Sequence, residues 1–236
     1  MLAHNPSIVL NGLVLYVDAA NIKSYPGSGT TWSDLSGRGN TGTLTNGPTY
    51  SSANGGSIVF DGTNDYALVT NPTTLQNQNF TISTWVNPGT QNLGLVSMID
   101  FDHGGGNGWI LQSEDATTNR YYYFAWWNGS GFEPTGGGGY GSGKGIQITT
   151  SVWQNIVYSK SGTSLLGYMN GNQVYTGTAG SSNVGYGSNK NLGIGDWIPT
   201  GRAFKGNISN TQIYNRALSA AEVSQNFNAL RGRFGI

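Results

Sequence analysis

The feature that most restricts this chain is a succession of short apolar runs at strand spacing, each broken off by Gly, Asn, Pro or Ser clusters. GLVLYVDA (12–19), SIVFDG (57–62), DYALV (65–69), FTISTWV (80–86), LVSMID (95–100) and GWILQ (108–112) are followed by RYYYFAWW (120–127), VWQNIVYS (152–159), LLGYMNGNQVYT (165–176), NLGIG (191–195) and FKGNISNTQIYN (204–215). The count predicts an all-β sandwich of two antiparallel sheets, formed as one domain over residues 1–236. Side chains alternate along a strand, so Phe80, Ile82, Thr84 and Val86 share one face of FTISTWV, the expected core face. Thr81, Ser83 and Trp85 share the other. Asn170 and Gly171 stand between two β-rich runs and predict a tight hairpin, because a type I′ turn needs positive φ at both central residues.

One helix is expected, at the C-terminus. Ser219 and Glu222 form a capping box, and Leu218 with Val223 a hydrophobic staple. Val223, Phe227 and Leu230 make one apolar stripe at i, i+4 and i+7. Arg231 suits the negative end of the helix dipole, and Gly232 offers a left-handed stop.

Charge excludes several function classes. Eleven basic and eleven acidic residues cancel, and only 9% of residues are charged, against about 25% in an ordinary soluble domain. No basic patch for nucleic acid or an anionic membrane is expected. The surface is left to Asn, Thr, Ser, Gly and Tyr, a palette suited to hydrogen bonding with water or sugar hydroxyls. Without cysteine there is neither disulfide framework nor thiolate metal site. The start MLAHNPSIVLNG has no basic n-region and no long apolar stretch, so no signal peptide is expected, and the chain reads as made and folded in a cytoplasm or as leaving the cell by another route such as lysis.

The run GGGGYGSGKG (136–145) approaches a phosphate-binding loop, G-x-x-x-x-G-K-[ST]. Gly145 stands where that loop needs a hydroxyl, and a β-rich run follows where it needs a helix. The match reflects glycine content, and the stretch, with Tyr140 and Lys144, reads as a loop within the domain.

SDLSGRGNTGTL (33–44), FDGTNDYALV (60–69), FTISTWVNP (80–88), GYMNGNQV (167–174) and GNISNTQIYNRALSAAEV (206–223) together resemble the laminin-G-like branch of the concanavalin A-like lectin/glucanase superfamily. The resemblance implies a jelly-roll sandwich with a short C-terminal helix. DAANIKSYPGSGTTWSDLSG (18–37) is further similar to virion-associated proteins of tailed bacteriophages. That similarity implies a non-catalytic structural or interaction protein of a phage particle, as capsid decoration or tail component. Its implied partners are other virion proteins or further copies of itself, together with host cell-surface glycans. A freestanding carbohydrate-binding lectin is the alternative, and a glycoside hydrolase a remote third.

Sites decide function, since the fold hosts many. A retaining glycosidase needs two carboxyl groups about 5 Å apart; Glu114, Glu133 and Glu222 are the only glutamates and none opens a paired-carboxylate strand. Asp100 and Asp102 of DFDH are the nearest substitute, and they read equally as polar residues ending a strand. His4 and His103 are too few for a histidine metal centre. The family resemblance implies an oxygen-ligated calcium ion and points to Asp34 and Asn40, with Asp18 and Asn21 nearby; the same Asp34 and Asn40 also suit an Asx turn. Asp61 and Asp65 are expected to fix a hairpin between the runs on either side. For a glycan, the candidates are Tyr121, Tyr123 and Trp127 on one face of RYYYFAWW, with Trp109, Asp102 and Asn107 alongside. The alternative is that both faces of that strand are covered.

Overall fold

The computed structural model describes residues 6–90, 96–101, 107–116, 119–134, 145–188, 190–196 and 202–236, with backbone alone at 114–116 and 119. Among these residues the strands run, in chain order, β1 (Leu13–Asp18), β2 (Thr31–Trp32), β3 (Gly42–Thr45), β4 (Thr49–Ser51), β5 (Ser57–Asp61) and β6 (Tyr66–Val69). They continue as β7 (Phe80–Pro88), β8 (Val96–Phe101), β9 (Trp109–Ala116), β10 (Asn119–Trp127), β11 (Phe132–Glu133) and β12 (Ile146–Gln147). The last are β13 (Gln154–Ser161), β14 (Ser164–Met169), β15 (Asn172–Thr178), β16 (Leu192–Ile194) and β17 (Lys205–Tyr214), followed by the helix α1 (Ala220–Leu230).

These strands form two antiparallel sheets. The first has the order β15-β14-β13-β7-β17-β5-β4, with β1 also paired to β17. The second has the order β11-β10-β9-β8-β16-β6-β3-β2, with β12 also paired to β10. The architecture is the sandwich read from the apolar runs. The strands that escaped that reading, β2, β3, β4, β11 and β12, hold two to four residues each, too few to display a period.

Between the sheets, Phe80, Ile82 and Val86 of β7 meet Trp109 and Leu111 of β9 and Tyr122, Phe124 and Trp126 of β10 in one apolar cluster. The Tyr158 hydroxyl of β13 crosses this core and donates to the Tyr122 carbonyl at 2.6 Å, so a buried polar group is satisfied by the opposite sheet. Burial pushes the Tyr158 pKa well up. Asn170 and Gly171 join β14 to β15 at φ 50° and 78°, as a type I′ turn requires.

Asp61 and Asp65 do something other than fix a hairpin. Asp61 Oδ1 accepts from the amide of Thr63, and Asp65 Oδ2 accepts from the amide of Asp61. Yet β5 lies in the first sheet and β6 in the second. The two carboxylates therefore hold a corner where the chain changes layer.

The capping box of α1 is present: Ser219 Oγ accepts from the Glu222 amide, and Glu222 Oε2 accepts from the Ser219 amide. Leu218 and Val223 pack in one cluster as a staple would. The expected stop at Gly232 is not made. A 3-10 turn over Arg231–Arg233 continues the helix instead, because Arg233 and Phe234 have partners to reach. Arg233 Nη1 donates to both oxygens of the fully buried Asp18, at 2.9 and 2.8 Å, and the Phe234 ring stacks on Trp85 at 4.0 Å.

Candidate functional site

The second sheet has one face in the core and one facing outward. Register assigns the outward set: Tyr123 opposes Gln112, Ala125 opposes Ile110, Gln112 opposes Ser97 and Ile110 opposes Asp100. Ile110, Tyr123 and Ala125 form a small apolar cluster separate from the main core, which places them on the far side from Tyr122, Phe124 and Trp126. In the middle of the face little side chain is open, since Ser97, Asp100, Ile110, Gln112 and Tyr123 are all buried.

The ends of the same face differ from its middle. Trp127 and Tyr121, at opposite ends of β10, are half-buried. Trp127 lies directly opposite Phe132 across the β10–β11 pair, and the rings meet edge to face with centroids 5.1 Å apart at 78°. Phe132 is 40% exposed. The turn between them is held by Asn128, whose Oδ1 accepts from the amides of Ser130 and Gly131 while its Nδ2 donates to Glu133 Oε1 at 2.9 Å. Glu133 Oε2 accepts from the Gly180 amide. This is an aromatic pair on a braced hairpin, one ring half-buried and the other 40% exposed.

A second wall comes from residues 182–187, which have no regular secondary structure. The Gly185 amide donates to the Trp127 carbonyl, and the Gly185 carbonyl accepts from the Gly108 amide, both at 2.7 Å. Asn183 Nδ2 donates to the Asn128 carbonyl. A Cβ at Gly187 would sit 2.6 Å from Asn107 Nδ2, so glycine lets this segment run close beside Asn107. Trp127, Phe132, Asn107 and Asn183 thus gather at one rim of the sandwich. Stacking rings flanked by amide side chains can take the apolar face and the hydroxyls of one sugar ring together.

The sequence-derived candidates divide accordingly. Trp127 and Asn107 meet at the rim; Tyr121 lies at the other end of β10; Tyr123 is on the outward face but only 4% exposed. Trp109 belongs to the core, its ring stacked on Phe80 at 5.6 Å and against Phe101 at 5.5 Å, so it cannot contact a ligand outside. Asp102 lies outside the described residues. Phe132 and residues 182–187 were missed. The signal for Phe132 was NGSG (128–131), a turn that returns the next aromatic residue opposite Trp127.

Asp34 and Asn40 are brought together as an Asx-type turn. Asp34 Oδ1 accepts from the amides of Tyr16 and Ser36, and Oδ2 from Ser36 Oγ and the Asn40 amide. Four donors fill about four lone-pair sites of the carboxylate. Asn40 Nδ2 donates to the Val14 carbonyl and to Thr74 Oγ1. Among the described residues no three His, Cys, Asp or Glu side chains gather in one place.

Residues 135–144, most of the phosphate-loop look-alike, lie outside the described residues. Strand β12 begins at Ile146, where a phosphate loop would start a helix. Gly145 has φ 147°, and a Cβ there would fall 2.3 Å from the Tyr122 carbonyl oxygen. Its glycine answers a close backbone approach.

Residues 61–224 match the Laminin_G_3 family, described as the concanavalin A-like lectin/glucanases superfamily. No curated protein matches the chain. Among solved structures, domain 4 of AbnA, a GH43 extracellular arabinanase from Geobacillus stearothermophilus in complex with arabinotriose, is similar with TM-score 0.64 and 19% identity, covering 91% of this chain and 97% of that one. The binding domain of botulinum neurotoxin DC in complex with SialylT has TM-score 0.65 and 13% identity, covering 94% of this chain and 52% of that one. The sialidase of Trypanosoma rangeli in complex with sialic acid has TM-score 0.63 and 16% identity, with 98% and 36% covered. The chain therefore spans about half of the toxin chain and about a third of the sialidase. At these identities the likeness is one of fold.

Proposed function

The chain belongs to the concanavalin A-like lectin/glucanases superfamily, and from that premise we propose that it is a non-catalytic recognition module that binds carbohydrate at the rim formed by Trp127, Phe132, Asn107 and Asn183. The observation that carries this reading is the half-buried Trp127 ring held edge-on to a 40% exposed Phe132 on a braced hairpin. A half-buried ring beside a 40% exposed one offers a stacking face of the kind a sugar ring takes. The structural neighbours in complex with arabinotriose and with SialylT are consistent with a sugar.

Binding is tested by a glycan array and by titration with arabinotriose, comparing the parent chain with Phe132→Ala and Asn107→Ala. Loss of an anchor worth about 1.4 kcal/mol weakens binding about tenfold. Equal binding by all three would move the site elsewhere. The absence of glycan binding by the parent chain would end the reading.

The place of the module on a phage particle, among other virion proteins or copies of itself, is a further proposal resting on the resemblance of residues 18–37. Co-purification with intact particles supports it, and recovery only as free protein refutes it. For Asp34 and Asn40 we propose the turn rather than calcium, because protein donors already surround the carboxylate.

A further inference from the structure

Lys160 ends the core-facing series Ile156, Tyr158, Lys160 on β13, and its side chain enters the sandwich where an apolar residue would be expected. It is fully buried. Among the described residues its ammonium meets carbonyls and no carboxylate. Instead Nζ donates to three carbonyls from three separate segments: Gln78 at 2.6 Å, Gly162 at 3.1 Å and Ser182 at 2.8 Å. It also lies 4.7 Å from the centre of the Trp126 ring and 5.9 Å from that of Phe80, within cation–π reach of both. An ammonium has three donors, and here each has its own acceptor. A buried charge is costly unless satisfied in this way.

One of those acceptors begins the segment that walls the rim. From Ser182 onward that segment pairs with no strand, yet it is fastened on both sides. Toward the first sheet, Gln78 Oε1 accepts from the Val184 amide at 2.7 Å and Gln78 Nε2 donates to the Val184 carbonyl at 3.0 Å. The Tyr186 hydroxyl donates to the Asn77 carbonyl at 2.6 Å and accepts from the Asn77 amide at 3.1 Å. Toward the second sheet, Gly185 exchanges backbone hydrogen bonds with Trp127 and Gly108. Residues 182–186 are thus a strap across the end of the sandwich. Side chains stand in on one side for the ladder that a strand would have made.

We propose that Lys160 is a positioning residue for the rim: it pins the strap at Ser182 and ties it to the Gln78 loop, and so sets where Trp127 and Asn107 stand. Several features favour a pin over a simple filler of core space. A filler would be apolar and would leave the three carbonyls to find other donors. The lysine head joins the Gln78 loop, the Gly162 turn and the strap at one point, so its loss frees three carbonyls at once. The strap it holds is the element hydrogen-bonded to the Trp127 backbone. The consequence for sugar binding rests on the carbohydrate reading above, whereas the pinning of the strap is independent of it.

The test is Lys160→Met, which keeps an apolar stem of similar length and removes the three donors. Amide hydrogen exchange is read at Val184 and Gly185, with Val223 in α1 as a distant control, and arabinotriose is titrated in parallel. Exchange at Val184 and Gly185 is expected to accelerate by about tenfold or more with little change at Val223, the pattern of a local opening. Arabinotriose affinity is expected to fall while the denaturation transition remains cooperative. Unchanged exchange at the strap overturns the pin. A strap that loosens with full affinity retained overturns its positioning role. If the parent chain itself fails to bind any glycan, the proposed function falls while the exchange result still decides the pin. Should Lys160→Met not fold, the unaltered chain decides by NMR: a caged ammonium gives a slowly exchanging Nζ–H signal coupled through its hydrogen bond to the Ser182 carbonyl. A rapidly exchanging, uncoupled ammonium contradicts the proposal.

Discussion

The two outward faces of this sandwich are finished in opposite ways. On the first sheet, Trp85 points away from the core and is fully covered: Phe234 stacks on it at 4.0 Å and Phe227 at 5.6 Å, both within 14° of parallel. Around it Asn226 of α1 donates to Tyr214 Oη and accepts from the Val9 amide, and Arg233 closes on Asp18. On the second sheet, Trp127 also points away from the core, yet it is only half-buried and its ring neighbour Phe132 is exposed. Two tryptophans on outward faces thus have different fates: one has the C-terminal segment laid over it, and the other, among the described residues, stands beside a hairpin and the strap of residues 182–186. An outward aromatic on a sheet needs a cover, and on the first face the C-terminal segment is that cover.

The sharpest way to break that contrast is Trp85→Ala. Truncating a buried aromatic costs about 3 to 5 kcal/mol, read as a lower denaturation midpoint, and it should release the C-terminal segment. A loss below about 1 kcal/mol would mean the first face is no more sealed than the second. Next comes Arg233→Met, which leaves the Asp18 carboxylate buried without its guanidinium partner. A loss of about 2 to 3 kcal/mol is expected from a charged hydrogen-bonded pair of this kind; an unaltered midpoint would show that the C-terminal clamp is ornamental.

How far the sequence led differs between the same two regions. The helix and its cap were legible because a capping box is written in four consecutive residues. The β14–β15 hairpin was legible because Asn-Gly states its own φ angles. Trp109 was misplaced because a single strand does not say which of its faces is inside; only its pairing with β8 and β10 decides that. The strap was invisible for a related reason. Gln78 and Val184 are 106 positions apart and Asn77 and Tyr186 are 109 apart, and no local rule joins them. Lys160 did leave a trace, since period-two alternation from Ile156 places a lysine on a core face.

A smaller effect comes from pH. Burial pushes the Lys160 pKa from its ordinary 10.5 down to about 8. Between those values the unfolded chain holds a proton that the native chain has released, so stability should rise with pH through that window. Burial also raises Tyr122, Tyr158 and Tyr214 above their ordinary 10.0. Above about pH 10 the unfolded chain ionises these tyrosines and the native one does not, so stability should then fall. Denaturant midpoints from pH 7 to 11 check both limbs, and the rising limb should vanish in Lys160→Met.

Ser219→Ala should cost about 1 kcal/mol by removing the cap of the helix that covers the first sheet. An unchanged midpoint would show that packing alone holds α1. The smallest effect is expected from calcium. With Asp34 saturated by protein donors, the melting temperature should not move between excess calcium and chelator. A rise with calcium concentration would show an ion bound to the native state.

The most direct measurement is a pair made on Trp127→Ala: stability by denaturant, and binding on a glycan array beside the parent chain. A presented platform loses binding about tenfold or more while stability falls by well under the 3 to 5 kcal/mol of a buried aromatic. A loss of that full size with glycan binding untouched would make Trp127 another sealed ring, and the second face a wall rather than a site.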